Sequence, residues 1–413
     1  MLYWNRSITS RVSHVFNKSD IHDLAVFGGT PLFATPRSTS NLVRPDIDTF
    51  LSHSKSILER KSRTNECSLV ELLEQELASL HKTSHCVAFS NGFWGLALAM
   101  KCLALPGKTE IVMPSLTYRR MADIAAWVKL VPHFCEVDAH TLGANAATME
   151  RCINKDTALL LAVHPIVNCC EVDSLSDLAQ RKNLPLLVDA VESAYETYRG
   201  KKIGSFGNAE CFSMHASKLI NGFEGGYLTT NDPELAEKLV RMRDLGLLDD
   251  GCPIPYGIDA SMNKMHAAMA LSGLSDLPAQ IERNRHRYET YRDMMSSLPC
   301  LSLLTFDETE QCSYKNIVVR LSPEWPLTRE DTLRVLHGEQ VIARPYYSPA
   351  LHQKRAAYPT IAGNLSLTES LAEQFMLLPC GYFVDDEDTA LIVSLLHFMQ
   401  DHADPITKQL RRP

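Results

Sequence analysis

Short apolar runs alternate along the chain with longer stretches in which apolar residues return every three or four positions. The first pattern is that of buried strands, the second that of amphipathic helices. After a turn-rich opening at 25–33, with Gly28, Gly29 and Pro31, residues 46–61 and 65–81 read as helices. The second places Leu69, Leu72, Leu73, Leu77 and Leu80 at helical spacing, with Asn65 as a candidate N-cap. Strand-like runs follow at 86–90, 110–113, 131–138 and 157–168, then in the run ending at Asp189, at 210–214, and after Gly225–Gly226. Helical patterns lie between them, as from Gly92 onward and in 233–246. Such alternation predicts an α/β fold with a mainly parallel sheet.

From about residue 275 the pattern changes. A charged helix at 281–298 leads into strands near 301–305 and 313–321, and the segments 369–381 and 386–403 read as closing amphipathic helices. The expected division is an arm over 1–24, a large domain over 25–274 and a smaller C-terminal α/β domain over 275–413. The first twenty residues hold Arg and Ser and no acid before Asp20, a faint likeness to a transit peptide without the apolar core of a secretory signal. An irregular arm is the simpler reading.

Composition narrows the class. The formal charge of -8 argues against a nucleic-acid or anionic-membrane partner. No apolar run approaches the ~18 residues needed to span a bilayer. The twelve cysteines are scattered. The pairs Cys169–Cys170 and Cys135/Cys152 lack metal-ligand spacing, so free thiols in a reducing cytoplasm are expected and no metal site is.

Candidate chemistry gathers at predicted strand ends, where open α/β sheets bind ligands. Lys218 lies just past the strand at 210–214, with Ser213 five residues before it. A lysine held there can lose its charge by desolvation and attack carbonyls. Asp189 ends an apolar run 29 residues earlier, consistent with projection from the same sheet edge. At Asn91–Gly92–Phe93 a strand turns into an apolar helix, whose N-terminus suits a phosphate. His164 ends another strand and is assigned no role.

The string Ser213-x-His215-Ala216-x-Lys218-x-x-Asn221-x-x-Glu224-Gly225-Gly226 resembles the cofactor-lysine segment of the DegT/StrS family of sugar aminotransferases. These are fold-type-I enzymes dependent on pyridoxal 5'-phosphate (PLP). Motifs run in family order from Gly28 to about Gly381. The resemblance implies a large domain with a mostly parallel seven-stranded sheet, a small C-terminal domain, and a homodimer with shared sites. It implies that Lys218 carries the cofactor, that Ser213 binds its phosphate, and that Tyr118, in Pro114-Ser115-x-Thr117-Tyr118, lies against its ring. Asp189 takes the place that keeps the pyridine nitrogen protonated, so the ring can accept electrons. Thr64–Asn65 match a substrate-lining pair without the usual Gly-Pro, and Arg344 and Tyr346 match a C-terminal segment facing the substrate.

Three positions depart from the family pattern. Phe93 stands where a threonine hydroxyl usually meets the phosphate, leaving the backbone donors of Gly92 and Phe93. Asp259 stands where an asparagine crosses to the neighbouring subunit's phosphate, and Asn221 is the alternative donor. Glu192 replaces the residue that hydrogen-bonds the phenolic oxygen, so it is expected to be protonated or turned away. The implied reaction moves an amino group from glutamate or glutamine to a keto-sugar, most often nucleotide-linked. Cyclitol ketones and a non-catalytic PLP-binding scaffold are the alternatives. Lys218 argues against the related dehydratases, which usually carry histidine there.

Overall fold

The computed structural model describes residues 16–59 and 68–412. Thr64 and Asn65 lie outside them. Seven strands between residues 85 and 230 build the central sheet: β1 (His85–Phe89), β2 (Glu110–Pro114), β3 (Val131–Cys135), β4 (Thr157–Val163), β5 (Leu186–Asp189), β6 (Ala209–Ser213) and β7 (Gly226–Thr230). Further on come β8 (Leu301–Leu303), β9 (Ile317–Leu321), β10 (Arg344–Pro345), β11 (Ile361–Ala362) and β12 (Phe375–Leu378). The large sheet runs β11–β3–β2–β4–β5–β6–β7–β1, so the C-terminal half adds an eighth, two-residue edge strand to the expected seven. The pairs from β11 through β6 are parallel, and β7 is antiparallel to both β6 and β1.

Helices on the two faces explain why the inner strands are continuously apolar. All seven residues of β4 are buried. Glu110 and Glu210 lie inside such strands, and each has partners. Glu110 meets His133 Nδ1 at 3.1 Å and Asn154 Nδ2 at 2.8 Å. Glu210 accepts the N–H groups of Gly204 and Phe206 at 2.8 and 2.6 Å.

Among the helices, α1 (Ile47–Glu59), α2 (Leu69–His81) and α3 (Gly92–Leu103) precede β2. The N-cap of α2 is Ser68 rather than Asn65. Its hydroxyl accepts the Glu71 N–H and the Glu71 carboxylate accepts the Ser68 N–H, closing a capping box. A second sheet, β8–β9–β12–β10, is antiparallel throughout. Its strand β12 corrects the expectation of a helix over 369–381. The helix there stops at Gln374, and Phe375–Leu378 extend against β9, where pairing and burial outweigh helical spacing.

The chain's first described segment packs against its last. Arg37–Ser38 pair with Val341–Ile342. Arg37 Nε lies 2.6 Å from Asp388. Lys18 and Glu339 form a buried ion pair at 3.0 Å, and Glu339 also accepts the N–H groups of Ala25 and Leu32. Leu24, Leu32 and Phe33 share a core with Tyr288, Tyr291, Val335 and Phe375. No described helix is long and apolar enough to cross a membrane. All eleven described cysteines are free thiols.

Candidate active site

One edge of the large sheet collects the candidate residues. The register pairs Asp189 with Cys211 on the adjacent strand, so β6 runs two residues past the end of β5 on the same side of the sheet. Gly226, the first residue of β7, pairs with both Ser213 and Phe89. The ends of β1, β5 and β6 and the start of β7 therefore meet on one side.

Lys218 sits in the loop joining β6 to β7. The loop is closed by its own backbone: Met214 N–H donates to Gly225, Ala216 N–H to Phe223, and Lys218 N–H to His215. The two glycines that end it serve different needs. Gly225 has φ +152°, and a Cβ there would also lie 2.6 Å from Met262 Cε. A Cβ on Gly226 would lie 2.4 Å from the Gly92 nitrogen, so only glycine lets the strand touch the start of α3. From outside, Asn41 clamps the loop: its Nδ2 donates to the Lys218 carbonyl at 3.0 Å, and its N–H to Ser217 at 3.3 Å. Asn41 is almost fully buried and carried no signal in the sequence.

The N-terminus of α3 faces the same place. Asn91 is its N-cap, with the side-chain oxygen accepting the Trp94 N–H at 3.0 Å. The N–H groups of Gly92 and Phe93 open the helix and have no intrahelical acceptor. The Phe93 ring turns onto Trp94, with centroids 5.2 Å apart. Ser213 lies beside Gly92, and its Oγ accepts the His215 N–H at 3.3 Å.

Asp189 is buried at the end of β5, and one of its oxygens accepts the Val191 N–H at 3.1 Å. Burial pushes its carboxyl up to about 6, against the opposing pull of that N–H and of Lys218. Three residues on, Glu192 points at the lysine. The Lys218 ammonium bonds Glu192 Oε1, while Lys315 Nζ and Asn316 Nδ2 reach Oε2 at 3.0 and 3.1 Å. Burial would raise the Glu192 carboxyl, but the two lysines override it and hold it well below the usual range. Glu192 is thus turned toward Lys218, and the two lysines favour its carboxylate over the protonated form expected as one alternative. Lys315 and Asn316 precede β9 in the C-terminal half, and no local pattern marks them as partners of Glu192.

The remaining candidates are spread more widely. Tyr118 is exposed beyond β2. Asp259 is exposed, bridged through its backbone to Asp244. The Asn221 amide is committed to Val43 O at 2.9 Å and the Phe223 N–H at 2.8 Å, stitching the loop to the N-terminal segment. Arg344 is exposed on edge strand β10. Tyr346 is buried, and its hydroxyl accepts the Ile166 N–H at 3.2 Å. Its neighbour Tyr347, not singled out from the sequence, is the tyrosine whose hydroxyl feels Glu192 and Asp189. Burial first, and then these carboxylates, raise it far above the ordinary phenol range. His164 is buried at the end of β4, where Nδ1 accepts the Cys170 N–H at 3.3 Å. Among the described residues, no group of His, Cys, Asp and Glu is placed to hold a metal ion.

This edge fits a flat, phosphorylated pyridine. It offers a helix N-terminus and a hydroxyl of the kind a phosphate needs, and a buried carboxyl with a lysine near it. The close approach of Gly226 to Gly92 leaves no room there for a side chain on Gly226. Fold and site together define a fold-type-I, PLP-dependent aminotransferase. The sequence model of the DegT/DnrJ/EryC1/StrS aminotransferase family matches residues 47–397, and the chain belongs to that family.

The chain is 28% identical to GDP-perosamine synthase of Vibrio cholerae over 284 residues, 68% of this chain and 77% of that protein. It is also 28% identical to L-glutamine:2-deoxy-scyllo-inosose aminotransferase of Streptomyces paromomycinus over 367 residues, 83% and 85% of the two chains. The crystal structure of DesI in the presence of its TDP-sugar product superposes with a TM-score of 0.88 at 29% identity, covering 95% of this chain and 100% of that one.

Proposed function

We propose that this protein transfers the amino group of glutamate or glutamine to the ketone of a nucleotide-linked sugar. The observation that carries the reading is the Lys218 loop, clamped beside Asp189 and the α3 N-terminus within a fold that superposes on DesI with its TDP-sugar product. Gly92 and Phe93 N–H and the Ser213 hydroxyl would hold the cofactor phosphate, and Tyr118 would lie against the ring. Asp189, as the carboxylate, holds the pyridine nitrogen protonated. The bound cofactor supplies an electron sink for carbanion formation. Lys218 Nζ takes a proton from the donor's Cα and, in the second half of the cycle, returns one to the carbon that was the ketone. Glu192 receives the Lys218 ammonium whenever the lysine is free. Arg344 and Tyr347 border the substrate side. The protein works as a homodimer in the cytoplasm, with Asp259 at the subunit boundary.

The test loads the enzyme with the amino form of the cofactor and follows its consumption with nucleotide-linked keto-sugars and cyclitol ketones. Consumption by a nucleotide-linked keto-sugar supports the reading. Consumption by cyclitol ketones alone replaces it with the second reading, which the extended match to the scyllo-inosose aminotransferase favours.

A further inference from the structure

Two lysines and one amide converge on Glu192, and only one lysine has work in the reaction. Lys315 comes from the other half of the chain, is almost fully buried, and bonds Glu192 Oε2 at 3.0 Å and Asn316 Oδ1 at 3.1 Å. A buried ammonium is costly unless paired, and so is a buried carboxylate. Each makes the other tolerable here.

The arrangement divides the carboxylate. Lys315 and Asn316 take Oε2, and Lys218 takes Oε1. While Lys218 is a free ammonium, the three ionic groups sum to a single positive charge. Once Lys218 binds the cofactor covalently as a neutral nitrogen, Lys315 and Glu192 remain as a neutral pair. Without Lys315, the group next to the cofactor would be a bare carboxylate, which repels a phenolic oxygen. Lys315 thus accounts for a glutamate at this position.

We propose that Lys315 is a positioning residue for Lys218: it holds Glu192 by one oxygen, aims the other at the lysine nitrogen, and supplies the charge that neutralises Glu192 once Lys218 is bound to the cofactor. The inference rests on Lys218 as the cofactor-bearing lysine. The titratable groups around Glu192 and that nitrogen are Asp189 at the end of β5, Glu196 seven residues on, Lys315 before β9, Tyr346 and Tyr347 after β10, and Cys380 after β12, with His164 behind Asp189. Losing Lys315 leaves Glu192 unneutralised and no longer held by Oε2, so its whole charge bears on the Lys218 nitrogen, which favours the protonated form and moves deprotonation to higher pH. Removing a like charge acts in the same sense as a smaller direct effect, the part that remains when Glu192 is replaced.

The experiment is a pH titration of the absorbance of lysine-bound cofactor in the holoenzyme and its variants. In Lys315→Met the midpoint should rise by about one pH unit or more, and Lys315→Arg should stay near wild type. Glu192→Gln should lower the midpoint. Adding Lys315→Met to Glu192→Gln should move it much less than Lys315→Met moves wild type, because the lysine acts through Glu192. If Lys315→Met does not fold, the double variant, which leaves no unpaired buried charge, carries the test against Glu192→Gln alone. An unchanged midpoint in folded Lys315→Met overturns the inference, as does a Lys315 effect of full size in the Glu192→Gln background. A wild-type absorbance that survives Lys218→Ala overturns the reading of Lys218 itself, and this inference with it.

Discussion

Lys218 and Asp189 differ in how much of their environment is local. Lys218→Ala removes the nucleophile but leaves Glu192 paired with Lys315, so the fold should survive while steady-state amination falls by several orders of magnitude. Asp189 carries a cost of its own. With its carboxyl pushed up to about 6 from 3.8, the folded chain holds the proton more tightly than the unfolded chain. The cost of ionising it therefore grows as pH rises from about 4 to about 6 and is complete above that. In cofactor-free protein, Asp189→Asn should be more stable than wild type at pH 8, by up to roughly 3 kcal/mol, and should lose that advantage near pH 4. Thermal melts at the two pH values check this. Both residues were legible because a strand end and a family string marked them. Lys315, Asn316 and Asn41 were not. They reach the site from more than 90 residues away, and a pairing across that separation leaves no periodic trace.

At the scale of elements, the β6–β7 loop and the α3 N-terminus form the site between them. Asn41 donates to the loop at Lys218, and its amide has no substitute when truncated. Asn41→Ala should destabilise the protein by about 1–2 kcal/mol and lower kcat more than donor KM, read by melts and steady-state kinetics. The start of α3 is built differently from the family pattern, its second residue giving a ring to Trp94 instead of a hydroxyl to the cleft. Phe93→Thr should slow cofactor loss during dialysis, since a hydrogen bond to a charged group contributes roughly 1.5–3 kcal/mol. Faster loss would show that the ring's packing orders the helix start. Strand and helix order was readable from apolar periodicity through residue 230. It failed at β12, because LAEQFMLL satisfies helical spacing and strand length alike, and only pairing with β9 decides between them.

The molecule as a whole is joined end to end. The buried Lys18–Glu339 pair ties residues 18–32 to the C-terminal half, with two backbone amides on the same carboxylate. Glu339→Ala leaves those amides without their acceptor and the buried Lys18 ammonium with only the carbonyls of Asp23 and Thr30. The expected loss is about 3 kcal/mol, with earlier proteolytic cutting near residues 18–33 as the measurement. These ties fix an order of events in the cell. Chains emerge from the ribosome N-terminus first, at roughly 5–20 residues per second. The segment around Lys18 and Arg37 then finds its partners only when Glu339, Val341 and Asp388 have been made, more than 300 residues later. Asn41 waits less long, for the Lys218 loop. A segment made early thus docks late, and a ribosome stalled before residue 339 would display residues 16–38 without their partners, as bait for proteases and chaperones.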